Sequence, residues 1–227
     1  MKALIFDSGP LINLSMNGFL HILEELKNSF KGKFLITEQV KYETLDRPLK
    51  IQRFELGALR IQDLLQKKVL ELPQSLGISN SEISKKTSEL KNIANNLLEN
   101  NGKGIEIVSD AEISCLALSS ILKEKEIETL IAIDERTTRL LSENPKELEE
   151  TISKKTHFPV RLSKKNLSQL SEFSDFKFIR SPELIYIAYK KNLLHIKDPK
   201  ALEASLYAVK FKGSSISWDE IRTLKKL

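Results

Sequence analysis

The stretch Ala3-Leu4-Ile5-Phe6-Asp7-Ser8-Gly9-Pro10-Leu11-Ile12 decides how the rest of the chain is read. Its first four residues are apolar without the alternation of a half-exposed strand, which predicts a short strand buried on both faces. Pro10 suits the first turn of a helix, and an amphipathic pattern runs on from it to about Leu26. Strand, turn and helix therefore meet at an acid, Asp7. The unit recurs at residues 34–36, where Thr37 is a suitable N-cap for a helix carrying Val40, Glu43 and Leu45. Residues 105–108 lead through Ser109 into a helix to about Lys123, and residues 129–133 lead into a helix over about 135–142. Four such steps predict an α/β fold, a three-layer αβα arrangement around a mostly parallel sheet.

Between the second and third steps, residues 45–104 are read as a helical insertion, with helical periodicity at 54–65 and 81–98 and enough polar side chains to suggest a projecting arm. Residues 157–162 resemble a last edge strand, with Pro159 keeping it from the sheet centre. The division that follows is a catalytic unit over residues 1–162 and a basic helical extension over 163–227. In that extension Ser181-Pro182-Glu183 and Asp198-Pro199 are helix starts, and Ser217 with Glu220 forms a capping box.

Composition narrows the function classes. The chain has 227 residues, 41% of them apolar, and a formal charge of +5 from 36 basic and 31 acidic side chains. That is enough apolar material for a sizeable core and too little net charge for a polycationic nucleic-acid coat. The excess positive charge lies in residues 163–227, with 13 Lys/Arg against 7 Asp/Glu. Cys115 is the one cysteine and there are three histidines, so neither a disulfide framework nor a Cys/His zinc cluster is expected. The apolar run before Asp7 is too short for a secretory signal or a membrane span, so a cytoplasmic protein with no membrane partner is expected.

Each βα step delivers acid near its strand end: Asp7, Glu43, Asp110 with Glu112, and Asp134 with Glu135. Ligands of open α/β sheets bind where strand C-termini converge, so these carboxylates are expected to face one another. Two like charges at about 4 Å and an effective dielectric near 20 repel by roughly 4 kcal/mol, and a hard divalent ion is the natural compensation. All-oxygen ligation suits Mg²⁺ or Mn²⁺, which activates a bound water for phosphodiester hydrolysis. Each acid also has a structural reading, above all Ser109 and Glu112 as a capping box with Asp110 as a first-turn acid.

The four segments together resemble PIN-domain nucleases. Residues 3–12 are similar to the family's opening strand and turn, with Asp7 as first metal-site acid, Ser8 as its supporting hydroxyl, and Gly9 where a second small hydroxyl or amide residue is common. Ile36-Thr37-Glu38-Gln39-Val40-Lys41-Tyr42-Glu43, Ser109-Asp110-Ala111-Glu112 and Ile131-Ala132-Ile133-Asp134-Glu135-Arg136 resemble the remaining motifs. The resemblance implies a metal-dependent endoribonuclease acting on single-stranded or structured RNA, with Asp7, Glu43, Asp110 and Asp134 as catalytic and metal-binding acids. Because helical residues two apart diverge by about 200°, Asp110 and Glu112 compete for one place. Asp110 is favoured as ligand, with Glu112 and Glu135 in support and Arg136, Arg139 and tail lysines as phosphate contacts. The alternatives are a catalytically silent RNA-binding or scaffold protein of the same fold, and a phosphatase with Asp7 as nucleophile, for which Gly9 lacks the usual second acid. Whether the insertion makes a homodimer, and whether an inhibitory protein partner exists, stays open.

The other features are expected to be structural. His21, His157 and His195 have no mutual spacing for a metal site, and Cys115 lies inside an apolar helical run. Phe173, Phe176 and Phe178, beside Lys177 and Arg180, are read as packing residues before base-stacking ones, and Trp218 as an anchor of the last helix.

Overall fold

In the computed structural model, which describes all 227 residues, strand β1 (Lys2–Phe6) buries Ala3, Leu4, Ile5 and Phe6 in succession. Successive side chains of a strand point to opposite faces, so four buried in a row require cover on both. The chain then forms α1 (Ser8–Met16) and α2 (His21–Ser29). These replace the one helix expected up to Leu26, because Gly18 takes a left-handed φ of 75° and breaks the run. Strand β2 (Gly32–Leu35) begins at a glycine for a steric reason: a Cβ there would lie 2.3 Å from the Lys2 carbonyl oxygen. Helix α3 (Glu38–Lys41) starts at the expected cap, Thr37, and passes into a π-helical turn over Tyr42–Asp46.

Helices α4 (Gln52–Gln66) and α5 (Asn80–Leu97) fill most of the insertion, which does not project as an arm. The apolar stripe Ile83, Leu90, Ala94 and Leu97 of α5 is buried along the helix that follows, and Ala58, Ile61 and Leu64 of α4 are buried on the side of α1. The polar residues that suggested an arm occupy the outer faces. Strands β3 (Leu98–Asn100) and β4 (Lys103–Gly104) form a hairpin through Asn101-Gly102, both at positive φ as a tight hairpin turn requires. Residues 105–108, expected to be a strand of the main sheet, join no ladder; β3 and β4 take up the local pairing instead.

Next come α6 (Asp110–Glu124), β5 (Glu128–Ala132), α7 (Arg136–Glu143), α8 (Pro145–Thr156) and β6 (Arg161–Leu162). β6 is an edge strand as its proline suggested, but of the small antiparallel sheet β4-β3-β6. The remainder is β7 (Phe178–Ile179), α9 (Ser181–Lys190), α10 (Ala201–Phe211) and α11 (Trp218–Leu224). The main sheet is parallel throughout, in the order β2-β1-β5-β7, with Leu4 opposite Phe34 and Leu130, and Ile131 opposite Phe178.

Four parallel strands were expected and four are present, yet the fourth comes from the C-terminal third. A boundary at residue 162 is therefore displaced by the fold: the extension supplies an edge strand and its helices share the core. One cluster of 52 buried apolar residues includes Ile61 and Ile83 of the insertion and Leu184, Leu206 and Ile221 of the extension. Phe173 is fully buried and Phe176 and Phe178 pack against the same core, which is the packing role expected of them. No helix is long and apolar enough to cross a membrane.

Candidate metal centre

The C-terminal end of β1 delivers Asp7 into the N-terminus of α1, where its carboxylate caps the helix by accepting from the Gly9 N–H at 3.2 Å. Ser8 Oγ is 3.5 Å from the other carboxylate oxygen. Gly9 keeps this corner close: a Cβ on it would meet Asp7 Oδ2 at 3.4 Å and the Cβ of Asp134 at 3.7 Å. Asp7 and Asp134 thus flank one glycine, on neighbouring strands β1 and β5. Asp7 is 3% exposed, and its pKa is pushed up to about 7, first by burial, then by the charge of Glu112 and, more weakly, of Glu43.

Glu112 reaches this site because α6 packs tightly beneath β1. Ala111, Ser114 and Cys115 are small enough for close approach, and the Cys115 thiol donates to the Phe6 carbonyl at 3.6 Å. Ser114 Oγ also meets Thr37 Oγ1 at 2.7 Å, joining the starts of α6 and α3. The expected capping box forms: the Ser109 N–H donates to Glu112 Oε2 at 2.8 Å and the Glu112 N–H to Ser109 Oγ at 3.3 Å. Burial raises the Glu112 pKa, and the charge of Glu135 adds to it, against the lowering effect of the Ser109 bonds. Burial, with the charges of Asp7 and Glu112, likewise pushes the Cys115 thiol well up, consistent with a buried apolar role.

Asp110 faces elsewhere. It is exposed, and Lys91 of α5 holds it at 2.6 Å. The geometry therefore exchanges the parts expected of the pair: Glu112 joins Asp7, while Asp110 secures α5 to α6. Two α6 residues about 200° apart cannot serve one ligand, and α5 packs on the side toward which Asp110 points. Glu43 lies in the π-helical turn, a local widening often found at functional sites, and accepts from Gln39 Nε2 at 3.1 Å.

Asp134 is buried and already occupied. Its Oδ1 accepts from the Ser181 N–H at 2.8 Å and from Ser214 Oγ at 3.0 Å, and its Oδ2 from Ser181 Oγ at 2.7 Å and Asn13 Nδ2 at 3.2 Å. Four donors match the four lone-pair positions of a carboxylate, so no acceptor site is left for direct ligation. Asn13, Ser181 and Ser214 were missed by sequence reasoning. Only Asn13 gave a signal, as a polar residue on an otherwise apolar helix face.

Glu135 caps α7 through the Thr138 N–H at 3.0 Å. The buried Thr138 hydroxyl faces the Glu112 carboxyl, and its hydrogen bond works against the rise in the Glu112 pKa. The two arginines proposed for phosphate contact are engaged otherwise: Arg136 pairs with Glu147, and Arg139 is buried against Glu143 and Ser215. Arg139 is thereby turned inward, away from a polyanion, whereas Arg136 stays exposed in its pair with Glu147. A cleft of about 510 Å³ instead opens beside Glu43, lined by Arg47, Arg53, Arg60, Phe54 and Met16, and its three arginines make no ion pair.

Asp7, Glu112 and Glu43 are oxygen-only donors of the type that suits a hard divalent cation such as Mg²⁺ or Mn²⁺, but they do not converge: their oxygens do not all lie within 4.8 Å of one another, so side chains would have to move to hold an ion. Compared with known protein families, curated proteins and solved structures, the chain matches none.

Proposed function

We propose that this protein is a metal-dependent endoribonuclease of PIN-like type. The observation that carries the reading is Asp7, buried at a strand end with its carboxylate on the Gly9 N–H and its pKa pushed up to about 7, chiefly by burial and further by the charge of Glu112. A carboxylate so placed costs stability when ionised unless a cation shares the pocket. Asp7, Glu112 and Glu43 would hold that cation, and Ser8 would steady Asp7. When bound, a divalent ion of this class activates a water and shields the charge that develops on a phosphodiester.

The remaining residues orient and bind. Asp134, held by four donors, ties the α9 start to the site. Arg47, Arg53 and Arg60 provide phosphate contacts in the cleft that starts at Glu43, and Phe54, half-exposed there, offers a face for base stacking. They take the binding role expected of Arg139, while Arg136, exposed beside Glu147, stays available for it.

The test is cleavage of end-labelled single-stranded and hairpin RNA with Mg²⁺ or Mn²⁺. Metal-dependent internal cutting that a chelator abolishes and Asp7→Asn removes is the expected result. Undiminished cutting by that variant would take Asp7 out of the mechanism. RNA retention without cutting across both metals would favour the silent, RNA-binding alternative, which the saturated Asp134 carboxylate supports.

A further inference from the structure

The fold brings together two histidines whose sequence positions offered no metal site. Helix α2 opens on His21 and carries Glu25 one turn later, so both side chains leave the same face. The loop between α9 and α10 lays His195 on that face. The His21 and His195 rings stack with centroids 4.7 Å apart and 22° between planes, and His195 Nε2 is 2.6 Å from Glu25 Oε1. One donor atom from each of His21, Glu25 and His195 lies within 4.8 Å of the other two. Donors around a tetrahedral Zn²⁺ stand about 3.3 Å apart and the ion lies in the plane of each imidazole, so the exposed His195 ring must turn out of the stack as the donors draw together to close the set.

A second observation points to a cation. His21 Nδ1 is 3.2 Å from the Gly18 carbonyl oxygen and Nε2 is 3.2 Å from the Leu193 carbonyl oxygen. An imidazolium would donate to both oxygens; a neutral imidazole has one N–H, so in that form one contact is a hydrogen bond and the other sets a lone pair against a carbonyl oxygen. A metal ion at Nε2 removes that repulsion, while an Nδ1–H donated to Gly18 is the carbonyl support usual for a metal-bound histidine. The Leu193 oxygen then stands beside the ion as a further donor. His195 itself is held at a left-handed φ of 58°, and Asn192 nearby at 59°, so the loop is bent to present this side chain.

We propose that His21, Glu25 and His195 form a transition-metal site, of the Zn²⁺ class, that staples α2 to the α9–α10 loop. Two imidazoles and a carboxylate select such an ion over Mg²⁺. The site is independent of the hydrolytic reading: Asp7 stands at the other end of α1, a helix about 13 Å long. Its consequence for the fold is to pin the C-terminal end of α9, the helix whose first residue, Ser181, holds Asp134.

Zn²⁺ titration of the full chain by calorimetry, with Mg²⁺ in excess so that the acidic pocket does not report, tests the assignment. One Zn²⁺ per chain and a raised melting temperature are expected, with histidine scattering in the X-ray absorption spectrum. His195 is exposed, so His195→Ala should fold, as circular dichroism will check, and should weaken Zn²⁺ binding by about tenfold or more and abolish the melting shift. His195→Cys, which restores a donor, should recover both. Absence of stoichiometric Zn²⁺ binding, or equal binding by His195→Ala, overturns the proposal. A lower melting temperature for His195→Ala when the unsubstituted protein takes up no Zn²⁺ would show a proton-held His–Glu clasp in its place.

Discussion

Replacing Asp7 by asparagine keeps the shape of the side chain and an oxygen for the Gly9 N–H, and removes only the charge. Its pKa stands at about 7 in the folded protein against 3.8 for an unperturbed aspartate, chiefly through burial. Between those values the folded chain binds more protons than the unfolded one, so stability falls as pH rises through this window and levels off above it. At about 1.36 kcal/mol per pH unit, the full penalty on the native protein is on the order of 4 kcal/mol, reached above about pH 8. Asparagine carries none of it. In chelator, urea melts of the two proteins should therefore diverge with pH: the stability of Asp7→Asn relative to the parent should rise by about 2–3 kcal/mol between about pH 5 and pH 8. Mg²⁺ or Mn²⁺ should stabilise the parent far more than the variant, because only the parent binds the ion. A stability difference that does not change with pH, or that grows toward acid, would refute the reasoning that Asp7 is buried among like charges.

Glu112→Gln should abolish metal-dependent RNA cutting, whereas Asp110→Asn should leave it near the parent level, since Lys91 already holds Asp110 outside the pocket; a cleavage assay on both variants with matched melting temperatures separates the roles. Ser181→Ala deletes one donor to the buried Asp134 carboxylate and should cost about 1–3 kcal/mol in denaturant unfolding. A chain ending at Leu162 loses β7 and the three donor contacts that Ser181 and Ser214 make to Asp134, and should show no cooperative melt by circular dichroism.

Local chemistry was legible in the sequence because it depends on near neighbours. The continuous apolar run before Asp7, the Thr37 cap, the Ser109–Glu112 and Ser217–Glu220 boxes and the buried α6 around Cys115 all stand as the residue pattern required. Local signals also misled where another segment competed for the same partner. Residues 105–108 have the composition of a strand, yet the Asn101-Gly102 turn commits the preceding residues to a hairpin and leaves them outside the parallel sheet. That dipeptide was the signal available for the hairpin.

Only the tertiary structure could decide between Asp110 and Glu112, since the choice turns on where α5 places Lys91. The same holds for the four donors that close around Asp134 from α1, α9 and the loop before α11, and for the meeting of His21 with His195. The sequence by itself determined which residues could be acids at strand ends, because strand and cap propensities act over a few residues. Which of those acids share a pocket was left to helix packing, because the rotation of a helix about its axis is set by the apolar face it buries against distant parts of the chain.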